Sequence, residues 1–196
     1  MKTFILASKN KHKAEEINKI LGDGFKVITQ EDAGFGDIDV IEDGKTFEEN
    51  SIKKAEAIMK ASNMPTIADD SGLCVDALDG APGIYSARYA GEGASDQDKI
   101  NKLLENLSDI PDEKRTACFV CVVSLSYPDK ETLTFRGECK GRISKAPSGS
   151  GGFGYDPIFY LDEYKCTMAD VGEKTKNKIS HRANALKKFA EYVKNN

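Results

Sequence analysis

Apolar positions recur along the chain in two alternating rhythms. Thr3–Ala7 is a short apolar run of strand length. Lys11–Leu21 follows with Ala14, Ile17, Ile20 and Leu21 on one helical face, and Gly22 stops it. Lys26–Thr29 reads as a second strand, and the acidic, glycine-punctuated stretch 33–45 as a loop. Thr46 then opens a helix to Ser62, with Ile52, Ala55 and Met59 at helical spacing. Thr46-x-x-Glu49 carries the capping-box pattern. Pro65–Ala68 predicts a short strand that ends at Asp69-Asp70-Ser71-Gly72, and Leu73–Leu78 continues extended.

Asp79-Gly80 and Pro82-Gly83 mark turns. Ser95 opens a helix with Ile100, Leu103, Leu104 and Leu107 inward. Thr116–Tyr127 and Glu131–Arg136 predict a hairpin around Pro128-Asp129, and Glu138–Ile143 adds a further strand. Ser148–Gly154 is a glycine-rich loop, Pro157–Tyr160 a strand. Ser180 caps a last helix whose apolar face is Leu186, Phe189, Ala190 and Val193. Helices alternating with strands early, and a hairpin late, predict an α/β fold with a mixed sheet. No repeat or low-complexity segment divides the 196 residues, so one domain over 1–196 is expected.

Composition narrows the function. Lys plus Arg is 28 and Asp plus Glu is 32, a net charge of −4. This argues against a general nucleic-acid binder. No apolar run approaches the ~20 residues that span a bilayer. Met1–Ala7 reads as a first strand rather than a signal-peptide core, so a cytoplasmic location is expected. The five cysteines, 74, 118, 121, 139 and 166, have no framework spacing. Cys118 and Cys121 lie three apart in a strand, hence on opposite faces, and read as structural rather than as half of a zinc site.

Five stretches carry candidate chemistry. Ser8, Lys9, Asn10, Lys11, His12 and Lys13 join a strand to a helix, where free N–H groups attract anions. They fit a phosphate cradle or an ordinary capped helix with a solvated basic face. Asp69-Asp70 fits a Mg²⁺-binding and proton-accepting pair or a simple turn. Glu42, Asp43, Glu48 and Glu49 offer a second carboxylate; Glu49 already has a capping role, so Glu42 ranks above it. Phe153 among glycines fits a base-stacking platform or a flexible loop with a buried Phe. Lys176, His181 and Arg182, at the entry to the last helix, fit donors to a phosphate or a base carbonyl, or a solvated face. Together these suit a Mg²⁺-nucleotide better than a protein partner.

Longer motifs sharpen this. Ser8-x-Asn10-x-x-Lys13, Thr46-Phe-Glu-Glu-Asn50 with Lys54-Ala55, Ala68-Asp-Asp-Ser-Gly-Leu73, Gly80-Ala-Pro-Gly-Ile-Tyr-Ser-Ala-Arg-Tyr89, Gly152-Phe-Gly-Tyr-Asp-Pro157 and Ser180-His-Arg182 stand in one order along nearly the whole chain. In them the sequence resembles the inosine/xanthosine triphosphate pyrophosphatase (Ham1-like) family. The resemblance implies a two-lobed α/β fold, with an elongated mixed sheet flanked by helices and an active-site cleft between lobes. It implies Mg²⁺-dependent hydrolysis of ITP, dITP and XTP to monophosphate and pyrophosphate by a cytosolic homodimer. It also implies site roles. Ser8 to Lys13 cradle phosphates, with Lys53 a further contact. Asp70 is general base and metal ligand, Glu42 the other ligand, and Ser71 touches substrate. Phe153, Gly154, Tyr155 and Asp156 hold base and sugar, and Lys176, His181 and Arg182 read the base. Cys166–Asp170 matches only loosely and receives no role.

Overall fold

The computed structural model describes residues 1–196. Its strands are β1 (Lys2–Leu6), β2 (Phe25–Thr29), β3 (Thr66–Val75), β4 (Thr116–Ser126), β5 (Leu133–Ile143), β6 (Phe159–Leu161) and β7 (Cys166–Thr167). Its helices are α1 (Lys11–Leu21), α2 (Phe47–Ser62), α3 (Asp96–Asn106), α4 (Glu173–Ile179) and α5 (His181–Asn195). The strands make one open sheet in the order β2-β1-β3-β4-β5-β6-β7. Pairing is parallel between β1 and β2 and between β1 and β3, and antiparallel from β5 through β7. The expected mixed α/β sheet is therefore present.

The chain divides into two compact units. The first comprises Met1–Asp70, Cys121–Gly137 and Arg182–Asn196; the second comprises Ser71–Val120 and Glu138–His181. In the first, strand alternation sorts the core into two layers. Phe4 and Leu6 of β1 pack with Ala14 and Ile17 of α1 and with Leu186 and Phe189 of α5. Ile5 and Ala7, on the opposite face, pack with Ala55 and Ile58 of α2. In the second unit, Ile100, Leu103 and Leu107 from α3 and its C-terminal turn pack with Leu73, Val75, Phe119, Phe159 and Leu161.

Five elements differ from expectation. The extended run expected over Leu73–Leu78 ends at Val75, and Asp76–Leu78 is a 3-10 turn closed at Asp79-Gly80. Asp69 and Asp70 do not end a strand; β3 runs ten residues through them, because both carboxylates find cationic or amide partners in the interior. Glu131–Arg136 and Glu138–Ile143 are not two strands, since β5 passes Gly137 unbroken. Pro157 belongs to a 3-10 turn at Asp156–Ile158, and β6 begins only at Phe159. The segment before the last helix is itself a helix, α4, set apart from α5 by extended Ser180 (φ −63°, ψ 156°). Its pattern is too polar and too short to register as helical.

All five thiols are free, with Cys121 and Cys139 buried and Cys74, Cys118 and Cys166 half-buried. Cys121 sits in the α1/α5 core layer, which Cys118 does not join.

Phe189 ties the first unit together, meeting Phe4 edge-on at 5.4 Å and Phe135 at 5.8 Å. Phe189→Ala should lower the unfolding free energy by about 3–5 kcal/mol, read from urea denaturation, because the vacated volume is fully enclosed.

Candidate active site

The chemistry of the first unit follows from the alternation of β3. Ile67 faces the α1/α5 layer and Ala68 the α2 layer. Asp69 therefore continues on the first face and Asp70 on the second. Asp69 is only 4% exposed. Its Oδ1 lies 2.8 Å from Lys13 Nζ of α1, and its Oδ2 lies 3.3 Å from Arg182 Nη2 of α5. Arg182 Nη1 also holds Glu16 at 2.8 Å. Burial by itself would raise the Asp69 pKa. Lys13, Arg182 and Lys54 outweigh that and hold the carboxyl well below the usual aspartate range. Lys13, a cation that opposes the α1 dipole, thus has a structural reason to be there: a buried charge needs it.

Asp70 meets a different neighbourhood. Its Oδ2 accepts from Asn50 Nδ2 at 3.2 Å, and Lys54 Nζ lies 3.6 Å from its Oδ1. Lys54 Nζ also reaches Glu42 Oε2 at 2.8 Å. Asn50 and Lys54 are four apart on α2, so they share one face. Asn50 Oδ1 accepts from Gly44 N at 2.8 Å and so fixes the loop that carries Glu42. Burial pushes the Asp70 carboxyl above the ordinary aspartate value; Glu42 and Asp69 add to this while Lys54 opposes it. Burial would lower the Lys54 pKa, but Asp70, Asp69 and Glu42 raise it overall.

One sequence expectation changes here. Glu49 does not close a capping box on Thr46. Thr46 Oγ1 accepts from Glu49 N, but the Glu49 carboxylate takes Lys45 N, one residue earlier, at 2.6 Å. Glu49 is thus anchored in the cap, and Glu42 is the acid beside Lys54. Lys53 pairs with Asp43. The lysine at the acids is its neighbour Lys54, which apolar spacing alone did not single out. Its i,i+4 relation to Asn50 was the available signal.

The Ser8–Lys13 segment is a capped helix start. Asn10 is the N-cap of α1, its Oδ1 accepting from Lys13 N at 3.2 Å, and Ser8 Oγ accepts from Asn10 N at 3.2 Å. The first turn carries no acid. Lys9 pairs with Asp39 at 2.8 Å and Lys11 with Asp32 at 3.4 Å. His12 is exposed beside Glu15 and stands apart from the acids. The cations are thus gathered, and carboxylates of the 31–43 loop neutralise several of them.

The second unit holds the other candidates. Phe153 is 58% exposed, and Lys176 Nζ lies 4.5 Å from its ring centroid. Buried Asp156 accepts from Lys176 Nζ at 2.6 Å and from Phe153 N at 2.9 Å through one oxygen, Oδ2. Lys176 thus sits in the last turn of α4, not at the entry to α5. Tyr155 is a core residue, its hydroxyl donating to Ser86 O at 2.9 Å; burial raises its pKa. Gly154 N donates to Asp96. Buried His181 stacks on Phe119, centroids 4.8 Å apart and planes at 16°. Ser71 follows Asp70 on β3, half-buried. Arg182, the third residue assigned to the base, pairs with Asp69 and Glu16.

Comparison with known proteins adds context. A family model described as the Ham1 family matches residues 4–192. A dITP/XTP pyrophosphatase of Halalkalibacterium halodurans is 50% identical over 194 residues, 98% of this chain and 100% of that protein. The dITP/XTP pyrophosphatase of Bacillus subtilis is 48% identical, covering 98% of each chain. The Ham1 protein structure from Staphylococcus aureus superposes with a TM-score of 0.92 at 47% identity, covering 99% of both chains.

Asp69 yields a stability prediction. Its folded carboxyl ionises well below the ordinary range, so its contribution is complete above about pH 4 and fades only as pH falls further. Asp69→Asn should lower the unfolding free energy by about 3–5 kcal/mol, equally at pH 7 and pH 5, since Lys13 and Arg182 lose their buried partner. Urea midpoints at the two pH values measure both the size of the loss and its flatness.

Proposed function

The chain belongs to the Ham1 family, and on that premise we propose that it is a nucleoside triphosphate pyrophosphatase acting on deaminated purine nucleotides. Its substrates are dITP, ITP, XTP and dXTP, and its products nucleoside monophosphate and pyrophosphate. The observation that carries this reading is the group of Asp70, Glu42 and Lys54 in the unit that also holds the cation-rich start of α1. Hydrolysis of a triphosphate needs a proton acceptor for water and positive charge for the phosphates.

The donor set suits Mg²⁺. Asp70 and Glu42 offer hard oxygen ligands and already draw one cation, the Lys54 ammonium. Mg²⁺ characteristically takes one or two carboxylates and completes its shell with water and substrate phosphate. When bound there it would offset charge on the phosphates and the leaving pyrophosphate.

The protein groups do the rest. Asp70 orients the water that attacks the α-phosphorus and takes its proton. Ser8 to Lys13 receive the phosphates, through α1 N–H groups and the lysines. Lys54 keeps the two carboxylates together and adds charge beside them. On the base, Phe153 offers a stacking face and Lys176 a donor beside it. Hypoxanthine and xanthine carry an acceptor oxygen at position 6, where adenine carries a donor amine. A donor site satisfies the oxygen and leaves the amine unpaired, which can reject adenine by ~10⁴-fold or more.

No helix is long and apolar enough to cross a membrane. The reading places the enzyme in the cytoplasm as a homodimer, which light scattering on the purified chain would test.

Pyrophosphate release from ITP, XTP, dITP, ATP, GTP and dUTP, with Mg²⁺ and with EDTA, tests the reading. Rapid metal-dependent turnover of the first three and little of the rest is expected. Preference for another base would overturn the role given to Lys176 and Phe153. Asp70→Asn should lose about 10²–10⁴ in kcat with an unchanged melting temperature. Near wild-type turnover by that variant would remove Asp70 from the mechanism.

A further inference from the structure

The glycine-rich stretch 148–154 reads in the sequence as a flexible loop, yet it is tethered along its length. At its start, Ser148 Oγ donates to Asp170 Oδ2 at 2.8 Å, and Ser148 N donates to Pro157 O at 2.8 Å. Thr167 Oγ1 lies 2.9 Å from Ser148 O and 3.0 Å from the same Asp170 oxygen. At its end, Gly154 N donates to Asp96 Oδ2 at 2.6 Å. Near Phe153, Asp156 takes the Phe153 N–H.

The glycines record how close these carboxylates come. A Cβ on Gly149 (φ +82°) would stand 2.6 Å from Asp170 Oδ1, and one on Gly152 (φ +76°) would stand 2.0 Å from Asp156 Oδ2. Both positions also need a left-handed backbone that other residues rarely adopt. The glycines therefore let carboxylates close on the loop rather than let the loop move.

Neither a helix cap nor an assigned motif accounts for Asp96 or Asp170. The helix cap of α3 is made by Ser95 and Asp98, so Asp96 is not required for it. Asp96 pairs with Lys99 on its own helix and directs its second oxygen to Gly154. Asp170 lies in the Cys166–Asp170 segment to which neither motif nor resemblance assigns a role.

We propose that Asp96 and Asp170 are positioning residues that hold the 148–154 loop, and with it the exposed Phe153 ring, in the shape that receives the nucleobase. The nucleobase role of Phe153 rests on the proposed function; the anchoring does not. Ordering a platform before substrate arrives removes its entropic cost from binding. The effect belongs to recognition of the base and leaves phosphate binding untouched.

The test uses Asp96→Ala, Asp170→Ala, Asp96→Asn and Lys99→Met in the full chain. Amide exchange over 148–156, Gly154 above all, should speed up at least about tenfold in the alanine variants. KM for ITP should rise about tenfold with kcat nearly unchanged, as expected on losing one charge-assisted hydrogen bond. Inhibition by inorganic tripolyphosphate, which has no base, should stay at the wild-type level. Asp96→Asn, whose amide oxygen still accepts from Gly154 N, should recover most of the loss. Lys99→Met, which breaks only the ion pair, should be silent.

Unchanged exchange in both alanine variants would overturn the proposal. So would an equal weakening of tripolyphosphate, which would mark general disruption. If the wild-type chain turned over no purine triphosphate, the substrate reading would fall, and exchange at Gly154 would still decide whether Asp96 anchors the loop.

Discussion

A buried carboxylate sets the terms for the first unit. Asp69 lies inside the layer made by α1 and α5, where an unpaired charge would cost several kcal/mol. Lys13 from the first turn of α1 and Arg182 from the first turn of α5 both reach it. Residues from the first turns of two helices that begin far apart in the chain thereby meet at one acid. The cations that a helix start would ordinarily disfavour become necessary, and the start of α1 becomes basic as a result.

The same strand then divides labour between adjacent acids. Period-two alternation sends Asp69 to one face of β3 and Asp70 to the other. Asp69 is locked ionised by two cations and cannot take up a proton at any ordinary pH. Asp70 accepts from the Asn50 amide and lies near Lys54, and burial raises its pKa. Chemically identical side chains one residue apart thus acquire opposite pKa shifts, Asp69 downward and Asp70 upward. The difference is entirely one of which helix lies over each face.

In the second unit the polar groups act mainly on one another. Asp156 restrains Phe153 and Lys176 together, and Tyr155 disappears into the core. Of the four residues in Phe153–Asp156, only the Phe153 ring is offered to solvent, with an ammonium above it. One carboxylate oxygen, Asp156 Oδ2, thus fixes both the Phe153 backbone and the Lys176 ammonium beside the exposed ring.

Much of this was legible in the chain itself. The boundaries of α1, the start of α2 at Thr46, the Ser95 cap and the hairpin turn near Pro128 follow from local rules of spacing and capping, which act over a few residues. Asp70, Glu42 and Phe153 were legible as candidates because their residue types stand in unusual surroundings. Other features depend on partners distant in sequence and leave no local trace. The continuity of β3 through two acids depends on Lys13 and Arg182, 56 positions before and 113 positions after Asp69. The choice of Lys54 over Lys53 depends on which face of α2 meets Asp70 and Glu42, and a lysine's chemistry is the same at either position. The anchoring of the glycine-rich loop depends on Asp96, 58 residues away. Local sequence determines where backbone hydrogen bonds can start and stop; only the tertiary fold decides which charges are buried together, and that is what separates the surroundings of Asp69 from those of Asp70.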